Sequence, residues 1–120
     1  MKQILVVMSL LNMLLGSNGP VDDSLRLLSP LEFKAQVEGK DVQLVDVRTA
    51  REFYQGHIEG AINIDFYSMK FTAEFNKLSK DKAVYVYCRS GKRSKLGSNK
   101  LVAMGFTEIY DLHGGILKYK

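Results

Sequence analysis

Val84-Tyr-Val-Tyr-Cys-Arg-Ser-Gly-Lys-Arg-Ser94 is an alternating valine and tyrosine run that stops at the chain's one cysteine and passes into a basic, glycine-containing loop. The alternation predicts a strand over Val84 to Tyr87. Ser94 is a favoured N-cap type, and small or apolar residues recur behind it at Gly97, Ser98, Leu101 and Met104, so a helix is predicted to start there. Cys88 then sits in a strand-loop-helix corner. Loop N–H groups and a helix N-terminus stabilise an anion in such a corner, and Arg89, Lys92 and Arg93 add positive charge. These surroundings favour thiolate over thiol and make Cys88 a candidate nucleophile. A packed strand-end cysteine is the structural alternative, and the polar loop that follows argues against it.

The rest of the chain supplies alternating elements around this corner. Arg26-Leu-Leu28 reads as a short edge strand, and Ser29-Pro-Leu-Glu32 combines an N-cap, a proline at the first helical position and a capping-box glutamate. Phe33 and Val37 share one face of that helix, with Gly39 as its stop. Val42 to Val45 reads as a buried strand ending at Asp46, and Thr49-Ala-Arg-Glu52 opens a second capped helix that closes at Gly56. Ala61 to Ile64 is a third strand, Phe66 to Leu78 a helical pattern, and Glu108 to Tyr110 a last strand before Leu112-His-Gly-Gly115. Strands separated by helices imply right-handed crossovers and an α/β fold, with a mostly parallel central sheet and helices on both faces. Ligands collect beyond the carboxyl ends of such strands, where Cys88 and Asp46 both fall.

Composition bounds the rest. The chain has 120 residues, 46% of them hydrophobic, with ten glycines and two prolines, which allows one small folded domain. The formal charge of +4 lacks a long basic stripe with interleaved aromatics, so it suits a small anionic substrate better than a nucleic acid. One cysteine excludes an intramolecular disulfide, and with His57 and His113 as the two histidines no metal-ligand spacing emerges; no metal or cofactor is expected. Residues 1–19 differ from the remainder. Lys2 precedes an apolar run from Ile4 to Leu15 and then Gly16-Ser-Asn-Gly19, which resembles a secretory signal peptide and is too short for a membrane span of about 20 residues. The expectation is a signal segment over 1–19 and one domain over 20–120, in the periplasm or secreted, with no stable span after processing. A buried N-terminal helix or an uncleaved anchor is the alternative, and a cytoplasmic location the alternative to export.

Three separated stretches together resemble the rhodanese family of single-domain sulfurtransferases. Asp46-Val-Arg48, Glu52-Phe53 and Gly56 to Ile64 look like its first signature. Cys88 to Ser94, with Leu101 and Gly105-Phe106 downstream, looks like its active-site loop and following helix, and Gly114-Gly-Ile-Leu117 like its closing signature. The resemblance covers about Leu25 to Tyr119. It implies that Cys88 carries sulfur as a persulfide, taken from thiosulfate or a similar anionic donor and passed to cyanide, a thiol or a protein acceptor. It also implies that Arg89, Ser90, Gly91, Lys92, Arg93 and Ser94 bind the donor and hold the persulfide's charge, with no cofactor. Three positions depart from the family pattern. Tyr119 stands near a usual tryptophan, the terminal helix is short or absent, and Gly97-Ser98 occupies the place of paired alanines.

Several residues carry a structural reading beside the functional one. Asp46 and Arg48 read as an ion-paired or capping support, His57 as a hydrogen-bonded structural histidine, and His113 as part of a turn. Tyr85 and Tyr87 read as sheet packing. The basic residues from Arg89 to Lys95 also suit a solvated helix start. Some phosphatases resemble this fold and use a cysteine thiolate, but place five residues between cysteine and arginine. Here four separate Cys88 from Arg93, and Tyr87 stands where those phosphatases often have histidine. A non-enzymatic persulfide carrier would need the same Cys88.

Overall fold

The computed structural model describes residues 23–120, so the signal-like segment lies outside the described residues. Five strands, β1 (Leu25–Leu28), β2 (Gln43–Asp46), β3 (Ile62–Asn63), β4 (Val84–Tyr87) and β5 (Ile109–Leu112), form one sheet in the order β1-β5-β4-β2-β3. Every pairing is parallel. Helices α1 (Pro30–Val37), α2 (Ala50–Gln55), α3 (Phe71–Phe75) and α4 (Lys92–Ala103) connect the strands, and a 3-10 turn at Ile116–Lys118 follows β5. None of the described helices is long and apolar enough to cross a membrane.

The pleat of β4 divides the interior into two cores. Val84, Val86 and Cys88 face Phe71 and Phe75 of α3 and Leu101 of α4, together with Val45, Phe106 and Ile109. Tyr85 and Tyr87 point the other way, into Phe33 and Val37 of α1, Leu44, Ile58 and Leu112, with Phe53 of α2 at the margin. Helices therefore cover both faces, and each buried Phe or Val contributes about 1.5–3 kcal/mol of transfer free energy. Tyr119 packs edge-on against Phe33 at 6.3 Å.

Both predicted capping boxes form. Ser29 Oγ accepts from Glu32 N, and Ser29 N donates to Glu32 Oε1 at 2.9 Å; Thr49 and Glu52 repeat the exchange. Four expectations need correction. Ser94 does not cap α4: Gly91, at φ 108°, is the N-cap, and the helix begins at Lys92 with Ser94 inside its first turn. That left-handed conformation suits glycine and ends the loop earlier than a serine cap would. The helical pattern from Phe66 to Leu78 shrinks to α3, because Asp65 Oδ1 accepts from Tyr67 N at 2.8 Å and Ser68 Oγ from Lys70 N at 3.0 Å. Those side chains give the backbone a local alternative to the helix. The third strand is two residues long; beyond it Ile64 N and Phe66 N still donate to the carbonyls of Asp46 and Val47, while Asn63 Nδ2 donates to those of Asp46 and Arg48. The last strand runs on to Leu112, held on both sides by β1 and β4, and so includes Asp111.

Candidate active site

Cys88 follows the end of β4, between β2 and β5, at the carboxyl edge of the sheet. Its side chain is 1% exposed. The Gly91 N–H donates to Sγ at 3.0 Å, and the thiol lies 3.4 Å from Ser94 Oγ as a donor. The loop thus turns an amide onto the sulfur, which is the arrangement that favours extra negative charge there.

The closing segment holds the loop in this orientation. Ile116 N donates to the Cys88 carbonyl at 2.9 Å and Leu117 N to the Arg89 carbonyl at 3.2 Å, so both carbonyls are engaged from outside the loop. Gly115, at φ 66°, is pressed against the same backbone: a Cβ there would collide with the Arg89 carbonyl and stand 2.7 Å from the Cys88 carbonyl oxygen. Glycine is required at this contact for its size as well as its conformation. Gly-Gly-Ile-Leu therefore works as a clamp on the cysteine loop.

The basic residues divide into two kinds. Arg93 gives both terminal nitrogens to Glu52, at 2.7 and 2.9 Å, and is half-buried. The paired guanidinium holds the Glu52 carboxyl at about 2, well below its usual range, with the Thr49 cap assisting. Arg89 and Lys92 are exposed beside the loop and remain available to an approaching anion, as does exposed Ser90. Ser94 is buried against the sulfur, where it can meet the loop but not bulk solvent.

Asp46 and Arg48 form a brace. Arg48 Nε and Nη2 reach the Asp46 carboxylate at 3.0 and 2.7 Å, Nη2 also donates to the Gly56 carbonyl at 2.6 Å, and the guanidinium lies 5.8 Å from the Tyr87 ring centre. This ties the end of β2 to the end of α2, beneath the site. Tyr87 adds a hydrogen bond at 3.0 Å as its hydroxyl accepts from Ile58 N, and burial pushes its phenol well upward, keeping it protonated. His57 stacks on Phe53 at 3.7 Å, with Nδ1 2.9 Å from the Phe53 carbonyl, and His113 N donates to the Leu28 carbonyl in the turn after β5.

A cavity of about 460 Å³ opens beside Ser90, Gly91 and Lys92 and reaches Leu25, Leu27 and Asp111. A cleft of about 520 Å³ bordered by Lys34, Lys40, Ile58 and Tyr119 belongs to the opposite core and offers no nucleophile, so the smaller cavity is the relevant one. Asp111 escaped the sequence reading, although a charge alternating with Ile109 on one pleat face was a visible signal. Among the described residues no group of histidine, cysteine and carboxylate side chains is arranged to hold a metal.

Residues 29–120 match the family described as the rhodanese-like domain. The chain is 40% identical over 95 residues to the uncharacterized protein YqhL of Bacillus subtilis, covering 79% of this chain and 72% of YqhL. It is 38% identical over 95 residues to the tRNA uridine(34) hydroxylase of Cytophaga hutchinsonii, across 77% of this chain. The chain spans only 30% of the length of that relative. Among solved structures, a rhodanese-like domain protein from Staphylococcus aureus superposes with a TM-score of 0.69 at 29% identity, covering 79% of this chain and 91% of the other. A rhodanese-related protein from Thermoplasma volcanium gives 0.65 at 27% identity, over 76% and 86% of the two chains.

Proposed function

The chain belongs to the rhodanese-like family, and from that premise we propose that it is a sulfurtransferase carrying sulfane sulfur on Cys88. The observation that carries this reading is the Gly91 N–H aimed at Sγ from a loop whose neighbouring carbonyls are held outward by Ile116 and Leu117. Such a loop suits an anionic sulfur at the thiolate stage and at the persulfide stage. In the first half-reaction the thiolate attacks the outer sulfur of thiosulfate. An S–S bond forms to Cys88 as the donor's own S–S bond breaks, and sulfite leaves with the electron pair. A thiolate or cyanide then attacks the outer persulfide sulfur and releases the Cys88 thiolate. Arg89 and Lys92 draw the anionic donor to the exposed side of the loop.

Mass analysis after thiosulfate treatment tests the reading. A gain of one sulfur on Cys88, removed by cyanide or an acceptor thiol and abolished in Cys88→Ser, is the expected outcome. No gain on folded protein refutes it. Stable loading without repeated turnover would favour a persulfide carrier. Turnover of an aryl phosphate without persulfide would favour a phosphatase, against which stands the commitment of Arg93 to Glu52.

The relatives named tRNA uridine(34) hydroxylase motivate a second reading, in which the domain acts on tRNA. Uridine modification in tRNA incubated with this chain would support it, and tRNA left unaltered would leave sulfur transfer alone. The Lys2-led apolar segment supports export to the periplasm or beyond. N-terminal sequencing of the natural protein is expected to find the segment removed; Met1 retained on cytosolic protein would contradict export.

A further inference from the structure

Below the cysteine loop the chain buries a second titratable group. β4 and β5 are in the register Val86 to Asp111, and Val86 and Cys88 share one pleat face, so the Asp111 side chain lies on that face one step below Cys88. Above it, α4 turns Ser94 and Ser98, four residues apart, toward the sheet, both fully buried. Asp111 is 3% exposed, and neither its Oδ1 nor Ser98 Oγ has a hydrogen-bond partner. Burial pushes the Asp111 carboxyl up to about 6, and the Ser94 hydroxyl is the neighbour that holds it from rising further.

A structural reading accounts poorly for this residue. Asp111 caps no helix and forms no ion pair among the described residues, and a buried carboxyl with an unpartnered oxygen is a cost to the fold. The neighbour that favours its charged form is Ser94, which in turn lies against the sulfur. Ser94 Oγ is 3.4 Å from Cys88 Sγ and 3.3 Å from the Gly91 carbonyl, and its hydroxyl hydrogen can rotate between acceptors.

We propose that Asp111 is a positioning residue that takes the Cys88 proton through the Ser94 hydroxyl. Before Sγ attacks the outer sulfur of the donor, the thiol proton passes to Ser94 Oγ and the Ser94 proton passes to the Asp111 carboxylate, leaving Ser94 neutral and Cys88 as the attacking thiolate. When an acceptor removes the sulfur, the Cys88 thiolate recovers a proton by the reverse path. No oxidant or reductant is needed. The charged groups facing this site are few. Lys92 and Lys95 from α4 and His113 from the turn after β5 border the adjoining cavity, and β1 presents only Leu25 and Leu27 there. That cavity gives the proton an exit to solvent.

This inference rests on the sulfur-transfer reading for its chemistry, so its test includes a reaction that needs no sulfur donor. The rate of Cys88 alkylation by iodoacetamide is followed from about pH 5 to 8 in full-length protein, beside thiosulfate loading by mass. Wild type should lose reactivity below about pH 6, as Asp111 takes up a proton. Asp111→Asn and Ser94→Ala should each react at least about tenfold more slowly at pH 7 and lack that acid limb, with the double variant no slower than the slower single. An acid limb retained in either variant, or a variant as fast as wild type or faster, overturns the proposal; the faster result would mean that Asp111 merely repels the thiolate. Should Asp111→Asn fail to fold, Ser94→Ala decides alone. Failure of wild type to load sulfur with the alkylation pattern intact discards sulfur transfer and keeps the relay.

Discussion

Glu52 accepts both terminal nitrogens of Arg93, at 2.7 and 2.9 Å, so the carboxylate that caps α2 also anchors the first turn of α4. The two residues are 41 apart in sequence and join helices on opposite sides of the sheet edge. One carboxylate thereby fixes a helix start and keeps a cation beside the cysteine loop.

Glu52→Gln should lower stability at pH 7 by about 1–2 kcal/mol, since one charge-assisted bidentate contact is lost in a half-buried site. The folded Glu52 carboxyl titrates at about 2, below its ordinary value, so the pair's contribution is present above that ordinary value and fades as pH falls toward 2. Thermal melts of both proteins should therefore differ at pH 7 and converge in acid. A constant difference across that range would show that the pair contributes nothing through charge.

Gly97→Ala should stabilise the protein. A Cβ at Gly97 would meet Phe66 and Phe71 at 3.6 Å, an ordinary packing distance, and the position lies inside α4 at a helical φ. Helix propensity then favours alanine by about 1 kcal/mol, worth about 4–8 °C in a domain of this size. A lower melting temperature would mean that the Phe66–Phe71 pair cannot give even a few tenths of an ångström.

How far the sequence discloses this architecture depends on the range of the interaction involved. Ser29 with Glu32, and Thr49 with Glu52, act across three residues, and their capping boxes could be read directly. The Val84 to Tyr87 alternation and the cysteine loop were equally local. Ser94 misled because the left-handed turn at Gly91, a conformation open to glycine, starts α4 two residues before it. Phe66 to Leu78 misled because the helical spacing of its phenylalanines says nothing of Asp65 and Ser68 capturing the amides. The partner of Arg93 and the place of Asp111 depend on topology and register, which no window of the chain contains.

Gly115→Ala should cripple both folding and sulfur transfer, whereas Gly39→Ala should be mild. The two glycines have nearly the same φ, 66° and 68°, but Gly115 also has ψ −167°, a region that only glycine adopts readily, so its backbone penalty is already the larger. They differ in surroundings too. The Gly39 Cβ would meet nothing within 4 Å, while that of Gly115 would strike the backbone of Arg89 and Cys88. The clash moves the clamp off the loop carbonyls, so a further loss of at least about 2 kcal/mol is expected, with slower persulfide loading in whatever folds. Urea titration and loading rates of the pair separate the effects; equal destabilisation would dismiss the clamp.

Asp111→Asn should raise stability at neutral pH even as it slows Cys88. The folded carboxyl titrates at about 6, above the 3.8 expected when unfolded, so between those values the folded state holds a proton that the unfolded state releases. Stability is therefore full below about 3.8 and is lost as pH rises through about 6. At pH 7 the buried carboxylate costs on the order of 3 kcal/mol, and the neutral amide of nearly the same shape removes that cost. Melting temperatures of the two proteins should coincide near pH 4 and separate by several degrees above pH 7, with the variant higher. A variant that is less stable at every pH would assign Asp111 to holding α4 on β5 and would remove the reason to look for its role beside the sulfur. A group that weakens the fold where the protein works, and lies one hydroxyl away from the nucleophile, is what a trade of stability for reactivity looks like.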